Sequence, residues 1–201
     1  MKNLKIERFL WIILGASILF WLVIAWVKGV GISDFWGLIM LIPEVVTADT
    51  ILFWIFAKWG WKHPLFQGWL VPFPNLNGTW EGTIQSTWID PQTRAPTNPI
   101  NASLTIKQSF LNMSCVMKTA EMTSYSYAED FRIDEEKQIK QLIYSYNSHP
   151  KLTVAHRSPT HEGTIVFNIE GNPANRLDGH YWTARKTNGE IILSFKQRAI
   201  S

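Results

Sequence analysis

Residues 9–27 read FLWIILGASILFWLVIAWV, 19 positions without a charged side chain. An α-helix rises about 1.5 Å per residue, so this stretch matches the roughly 30 Å hydrocarbon core of a bilayer. A helix apolar on every side must be buried on every side, in a large core or in lipid. The stretch is too long for the apolar core of a signal peptide, and no small-x-small cleavage site follows it. A second apolar stretch, residues 35–57, contains Pro43, Glu44 and Asp49. Each carboxylate costs about 2.5–3.5 kcal/mol at mid-bilayer. Two geometries fit. A kinked helix spans 35–57 with both carboxylates facing protein or water. Otherwise residues 31–42 lie along the interface, and Pro43 and Glu44 start a shorter span ending near Trp61. Proline in a first turn and glutamate at a helix N-terminus suit the second geometry locally. Both give a two-span hairpin, with Glu44 and Asp49 as its polar positions.

Orientation follows from the basic residues. Lys2, Lys5 and Arg8 precede the first span, Lys58 and Lys62 follow the second, and only Lys28 lies between. The positive-inside rule then puts both ends, and everything after them, in the cytoplasm. Trp26, Trp36, Trp59 and Trp61 fall where interfacial aromatic belts sit. A cytoplasmic location suits a chain whose single cysteine, Cys115, can form no internal disulfide. The sequons at Asn77, Asn101 and Asn112 are accidental on that orientation.

The composition divides at the same place. Eight of the 11 tryptophans lie before Pro72, whereas 13 of the 19 basic residues lie after it. The net charge of +3 is too small to imply a nucleic-acid polymer as partner. Residues 1–71 therefore form a membrane region, with spans at about 9–27 and 35–57. Residues 72–201 form a second domain long enough to bury its own core.

Past the stiff junction VPFPNLNG the apolar period changes from helical to two. In residues 77–88, Trp80, Gly82, Ile84 and Trp88 fall on one face, and Thr79, Glu81, Thr83 and Gln85 on the other. Further strands are predicted at 100–108, 112–119, 124–133, 138–146, 163–170, 176–187 and 190–198, with Asn188–Gly189 as a type I′ hairpin turn. Eight short antiparallel strands read as a small up-and-down barrel or a sandwich; closure into a compact barrel hides the edges most simply, with room inside for side chains or one small ligand.

Signatures of enzyme chemistry are missing: no G-x-S-x-G, H-E-x-x-H, Walker loop or dinucleotide fingerprint occurs. His156 and His161 flank Pro159 in a predicted loop and lack further metal ligands of suitable spacing. Asp134, Glu135 and Glu136 read as a solvated hairpin tip. What the domain does carry is aromatics interleaved with cations. Tyr125 and Tyr127 share one strand face, and Tyr144 and Tyr146 share another. Tyr181 precedes Arg185, and Arg157 lies in a loop rich in hydroxyls. Such residues pair across strands in any barrel. Stacking platforms beside arginines also suit a ligand that combines bases with phosphates.

The stretches LNGTWEGTI (76–84), YSYNSHP (144–150), HEGTIVFNI (161–169) and LDGHYWTARKTNGEI (177–191), in this order behind a two-span hairpin, resemble the two-transmembrane, β-barrel effectors of bacterial cyclic-oligonucleotide antiphage signalling systems (CBASS). The resemblance covers essentially the whole chain. It implies a barrel that senses a cyclic dinucleotide made by a partner nucleotidyltransferase, with no cofactor. It further implies oligomerisation on binding and disruption of the inner membrane, ending in abortive infection. On the chemistry of such a ligand, Arg157, Arg185 and Lys107 are candidate phosphate partners, and Tyr125, Tyr127, Tyr144, Tyr146 and Tyr181 candidate base platforms. Glu44 and Asp49 would face inward between clustered helices, or merely mark the end of an interfacial segment. The rival is a membrane-anchored barrel of lipocalin type holding an apolar ligand.

Overall fold

The computed structural model describes residues 6–89 and 94–198. The chain forms two compact units that divide between Pro72 and Phe73.

In the first unit, α1 (Ile6–Lys28) is followed by a short helix α2 (Phe35–Met40) and by α3 (Ile42–Lys58). Residues Glu7–Lys28 and Phe35–Lys58 are each long and apolar enough to cross a membrane. The second stretch is helical through most of its length. It runs nearly continuously, broken only at Leu41, and Pro43 occupies the first turn of α3. Pro43 lacks an N–H, and the first turn is where a missing donor costs nothing. The carboxylates are handled separately. Glu44 pairs with Lys28, both half exposed near the connecting loop. Asp49 accepts a 2.6 Å hydrogen bond from Ser17 Oγ of α1. Its other oxygen is buried without a partner among the described residues.

The second unit is a closed, eight-stranded antiparallel barrel, each strand pairing with its chain neighbours and β1 with β8. The strands are β1 (Gly78–Ser86), β2 (Ile100–Gln108), β3 (Met113–Thr119), β4 (Met122–Asp134), β5 (Ile139–Pro150), β6 (His161–Glu170), β7 (Arg176–Thr183) and β8 (Asn188–Gln197). Closure leaves no edge unpaired, which answers the edge problem posed by the sequence. Alternation puts Trp80, Leu104, Ile106, Leu142, Phe167, Leu177 and Leu193 inside, all buried.

One end is plugged. The junction before β1 folds against β2, where buried Gln108 receives Leu76 N at 2.7 Å and donates to Pro74 O at 3.1 Å. Leu76 is fully buried and accepts the Trp80 indole N–H at 3.0 Å. Phe73 stacks on Phe131 at 5.5 Å between ring centroids. Any site reached through the barrel's end therefore belongs at the other end, where β1, β3, β5 and β7 finish.

Three local expectations are corrected. The β7–β8 turn is not Asn188–Gly189. The strands turn over residues 184–187, with Lys186 at φ 62° and Thr183 N donating to Thr187 O at 2.9 Å. Asn188 and Gly189 already pair with Trp182 and Tyr181. Gly189 is needed for space instead, because a Cβ there would stand 2.2 Å from Gln85 O of β1 and 2.8 Å from Tyr181 Cε1. Trp88 is not part of β1, which stops at Ser86, and it lies exposed. His161 is no loop residue but opens β6 opposite Ser148.

Candidate functional site

Strand register decides which aromatics meet. Tyr144 and Tyr146 of β5 both point into the lumen. Tyr144 stands between Glu129 of β4 and Ile165 of β6, and Tyr146 between Ser126 and Gly163. Tyr181 of β7 also points inward, paired with Ile165 and Gly189. Two glycines make these rings possible. A Cβ at Gly163 would lie 2.5 Å from the Tyr146 hydroxyl, and Gly189 clears the Tyr181 ring. The neighbouring strands thus carry glycine where a side chain would meet both these rings and the paired backbone.

The mouth loops bring cations to the same end. Arg185, in the β7–β8 turn, donates to Ser158 Oγ at 3.2 Å. Arg157, in the β5–β6 connection, pairs with Glu121 of the β3–β4 turn. His161 faces inward at the rim, with Nδ1 3.2 Å from Pro159 O.

The electrostatics tie these groups together. Burial pushes the Tyr146 phenol up to about 12, Tyr181 adds to the rise, and Arg185 opposes it. Burial holds His161 below its ordinary value against the hydrogen bond to Pro159, and Arg185 lowers it further. Deeper in the lumen, burial raises Tyr144 well above the usual phenol, with Cys115 and then Tyr146 contributing. The Cys115 thiol is pushed up by burial and then by the nearby Glu129 carboxylate. A column of polar groups therefore runs inward from Arg185 and His161, past Tyr181 and Tyr146, to Tyr144, Cys115 and Glu129. Small polar side chains line it: Ser124 Oγ bonds Ser148 Oγ at 2.9 Å, and Ser126 Oγ accepts Cys115 N at 2.8 Å. The Tyr144 hydroxyl has no partner among the described residues, although the side chain is only 1% exposed.

Five of the residues singled out from sequence converge here: Tyr144, Tyr146, Tyr181, Arg157 and Arg185. Tyr125 and Tyr127 do not. They are 51% and 58% exposed on the outer wall. Lys107 lies at the plugged end, opposite Ser114, in a shallow concavity shared with Asn77 and Asn112. Sequence reading missed Glu129, His161 and the serine wall. Period-two alternation from Ser124 and Ser126 would turn Glu129 outward. A bulge between Ser126 and Ala128 adds one residue and reverses that parity.

Residues 71–195 match the family model described as Cap15, cyclic dinucleotide receptor domain. The chain belongs to this family. It is also 29% identical over 157 residues to the CD-NTase-associated protein 15 of Staphylococcus schleiferi, covering 78% of this chain and 80% of that one. The family takes a cyclic dinucleotide as ligand rather than as a cofactor. The barrel is the receptor domain, and the apolar helices precede it.

Proposed function

We propose that the cyclic dinucleotide binds at the open end of the barrel, with Tyr146 and Tyr181 against its bases and Arg157 and Arg185 on its phosphates. The observation that carries this reading is the convergence of three inward tyrosines and two arginines on the one end that the junction does not plug. A cyclic dinucleotide bears two bases and two negative charges. Aromatic faces stack on any base, and guanidinium groups bond phosphates in pairs. Tyr125, Tyr127 and Lys107, the other candidates read from sequence, would not touch a ligand in this pose.

The chain then acts as a membrane-anchored effector of antiphage defence. The helical hairpin sits in the bacterial inner membrane with both termini and the barrel in the cytoplasm. A partner nucleotidyltransferase supplies the ligand. Binding drives homo-oligomerisation, and the clustered hairpins disrupt the bilayer, giving abortive infection. A ligand can shift assembly only through its different affinity for monomer and oligomer. A mouth whose loops carry exposed arginines supports a ligand shared between protomers. Asp49 supports the membrane step, because an unpartnered carboxylate oxygen inside a hairpin gains by finding donors in a neighbouring copy.

The test is calorimetry of the full chain in detergent against a panel of cyclic dinucleotides, for the wild type and for Arg157→Ala and Arg185→Ala. The reading expects micromolar or tighter binding of at least one ligand and a loss of about tenfold or more in each variant. Wild-type binding that both variants retain would move the site elsewhere. Binding of fatty acids and of no cyclic dinucleotide would favour the apolar-ligand barrel.

A further inference from the structure

The helical hairpin is charged differently at its two ends. At the loop end Lys28 is neutralised by Glu44. At the opposite end lie Arg8, in the first turn of α1, and Lys58, the last residue of α3. Phe9 and Phe56 join the two helices there, at 5.7 Å between ring centroids. The chain does not run straight on from this end. Two single turns, Gly60–Lys62 and Pro64–Phe66, fold it back onto the helices. Phe66 meets Phe56 at 5.3 Å between centroids, and Arg8 Nη1 donates to Trp69 O at 2.7 Å. The result is a collar whose cations are set on aromatic faces. Lys58 Nζ lies 4.8 Å from the centroid of the Trp54 ring and 4.6 Å from that of Trp59, and Lys62 Nζ lies 5.7 Å from that of Trp61. Among the described residues none of Arg8, Lys58 and Lys62 pairs with a carboxylate. An indole face fixes an ammonium without cancelling its charge. In the same segment Trp59, Leu65 and Trp69 are exposed. Apolar side chains beside uncancelled positive charge make a surface suited to a membrane interface.

We propose that this collar binds an anionic phospholipid, with Arg8, Lys58 and Lys62 on its phosphate and Trp59, Leu65 and Trp69 against its glycerol and upper acyl chains. The assignment rests on the membrane placement proposed above and adds the class of lipid. Lys58 closes a stretch long and apolar enough to cross a bilayer, so the collar falls at headgroup depth. Charge then selects among lipids. A phosphatidylglycerol headgroup is a net anion and gains from each nearby cation. A choline or ethanolamine headgroup brings its own cation up against the lysines. The exposed apolar side chains favour a lipid over a free phosphate, which would leave them in water. Arg8 spends one of its five N–H donors on Trp69 O and keeps the rest for the phosphate. The loop end, where Glu44 already cancels Lys28, offers no comparable site. The hairpin therefore grips anionic lipid at one end alone.

The test is native mass spectrometry of the full chain in a neutral detergent, titrated with phosphatidylglycerol, with phosphatidylcholine of the same acyl chains, and with glycerol 3-phosphate alone. A cation near a membrane surface favours an anionic lipid about fivefold, so the wild type should bind the glycerol lipid about tenfold or more tightly than the choline lipid. The double variant Lys58→Gln, Lys62→Gln should bind the two within about twofold, and Lys58→Arg, Lys62→Arg should keep the preference. Equal wild-type affinities would overturn the assignment without any variant, so a folding defect in the glutamine chain cannot shield it. A glutamine chain that keeps the preference would overturn it too. Glycerol 3-phosphate bound as tightly as the lipid would make the collar a site for free anions and overturn the lipid. If the untagged chain is instead recovered from cells as a monomer in water without detergent, the membrane placement itself fails, and the lipid site with it.

Discussion

The Tyr144 hydroxyl separates a structural group from a recognition group in one experiment. Tyr144→Phe removes one oxygen from a side chain that is 1% exposed and has no hydrogen-bond partner for that oxygen among the described residues. Ring packing against Tyr146 and Phe167, at 6.2 and 6.3 Å between centroids, is kept. In the free protein the substitution deletes an unsatisfied buried polar atom, so stability should rise by about 1 kcal/mol or more. For a domain of this size that is about 3–5 °C in Tm. A ligand that entered the lumen to this depth would supply the missing partner, and the substitution would then delete one hydrogen bond worth about 0.5–1.5 kcal/mol, about a two- to tenfold loss of affinity. The assay is thermal unfolding of the full chain in detergent, followed by near-ultraviolet circular dichroism, without and with saturating cyclic dinucleotide. Phenylalanine should melt higher than tyrosine without ligand and gain less from ligand. A variant that melts lower than wild type and binds ligand equally well would show that the hydroxyl serves the fold. The reasoning from its missing partner would then be refuted.

Two further outcomes follow from the same geometry. Gly163→Ala would put a methyl group 2.5 Å from the Tyr146 hydroxyl and 2.8 Å from Trp182 O. Because strand backbone cannot yield, it should destabilise the barrel by about 1–3 kcal/mol and displace Tyr146, read as a lower Tm together with weaker binding; wild-type values for both would mean that the lumen has slack there. The second concerns His161, whose pKa is lowered by burial and then by Arg185, in spite of the hydrogen bond to Pro159. The folded state resists protonation, so stability is full above the unfolded value near 6.5 and falls as pH drops toward the lowered folded value. An anionic ligand at the mouth reverses the preference, so binding should take up a proton and tighten as pH falls through that window. Calorimetry in buffers of different ionisation enthalpy measures the uptake, and a His161→Gln chain with the same uptake would remove His161 from the mouth.

The long apolar helix over residues 9–27 and the strand character of the region after Pro74 could be read directly, because each depends on local period and length. An uncharged run of that length has few other solutions, and β-branched and aromatic residues at period two fit a pleated wall. Closure was also legible, since eight short strands need hidden edges. Turn chemistry was not. Asn188–Gly189 carries the sequence mark of a type I′ turn, yet Gly189 serves to let the β1 backbone and the Tyr181 ring come close, contacts that exist only across the paired strands.

The candidate site divides in the same way. Sequence alone picked out Tyr144, Tyr146, Tyr181, Arg157 and Arg185 by residue type, together with Tyr125, Tyr127 and Lys107, which the fold sends to the outer wall and the plugged end. Residue type and alternation cannot make that separation, because they are blind to which strand end is closed. Gln108, gripping the junction through Leu76 N and Pro74 O, closes one end and leaves the other as the mouth. Nor can alternation see a bulge. A single inserted residue in β4 turns Glu129 from the solvent face to the lumen, and only the pairing of β4 with β5 fixes where that residue falls. The sequence by itself thus determined a membrane-grade helical hairpin followed by an all-strand receptor domain, since both follow from short-range hydrophobic pattern. Which side chains share the interior was decided only by tertiary structure, since register and closure depend on contacts between residues far apart in the chain.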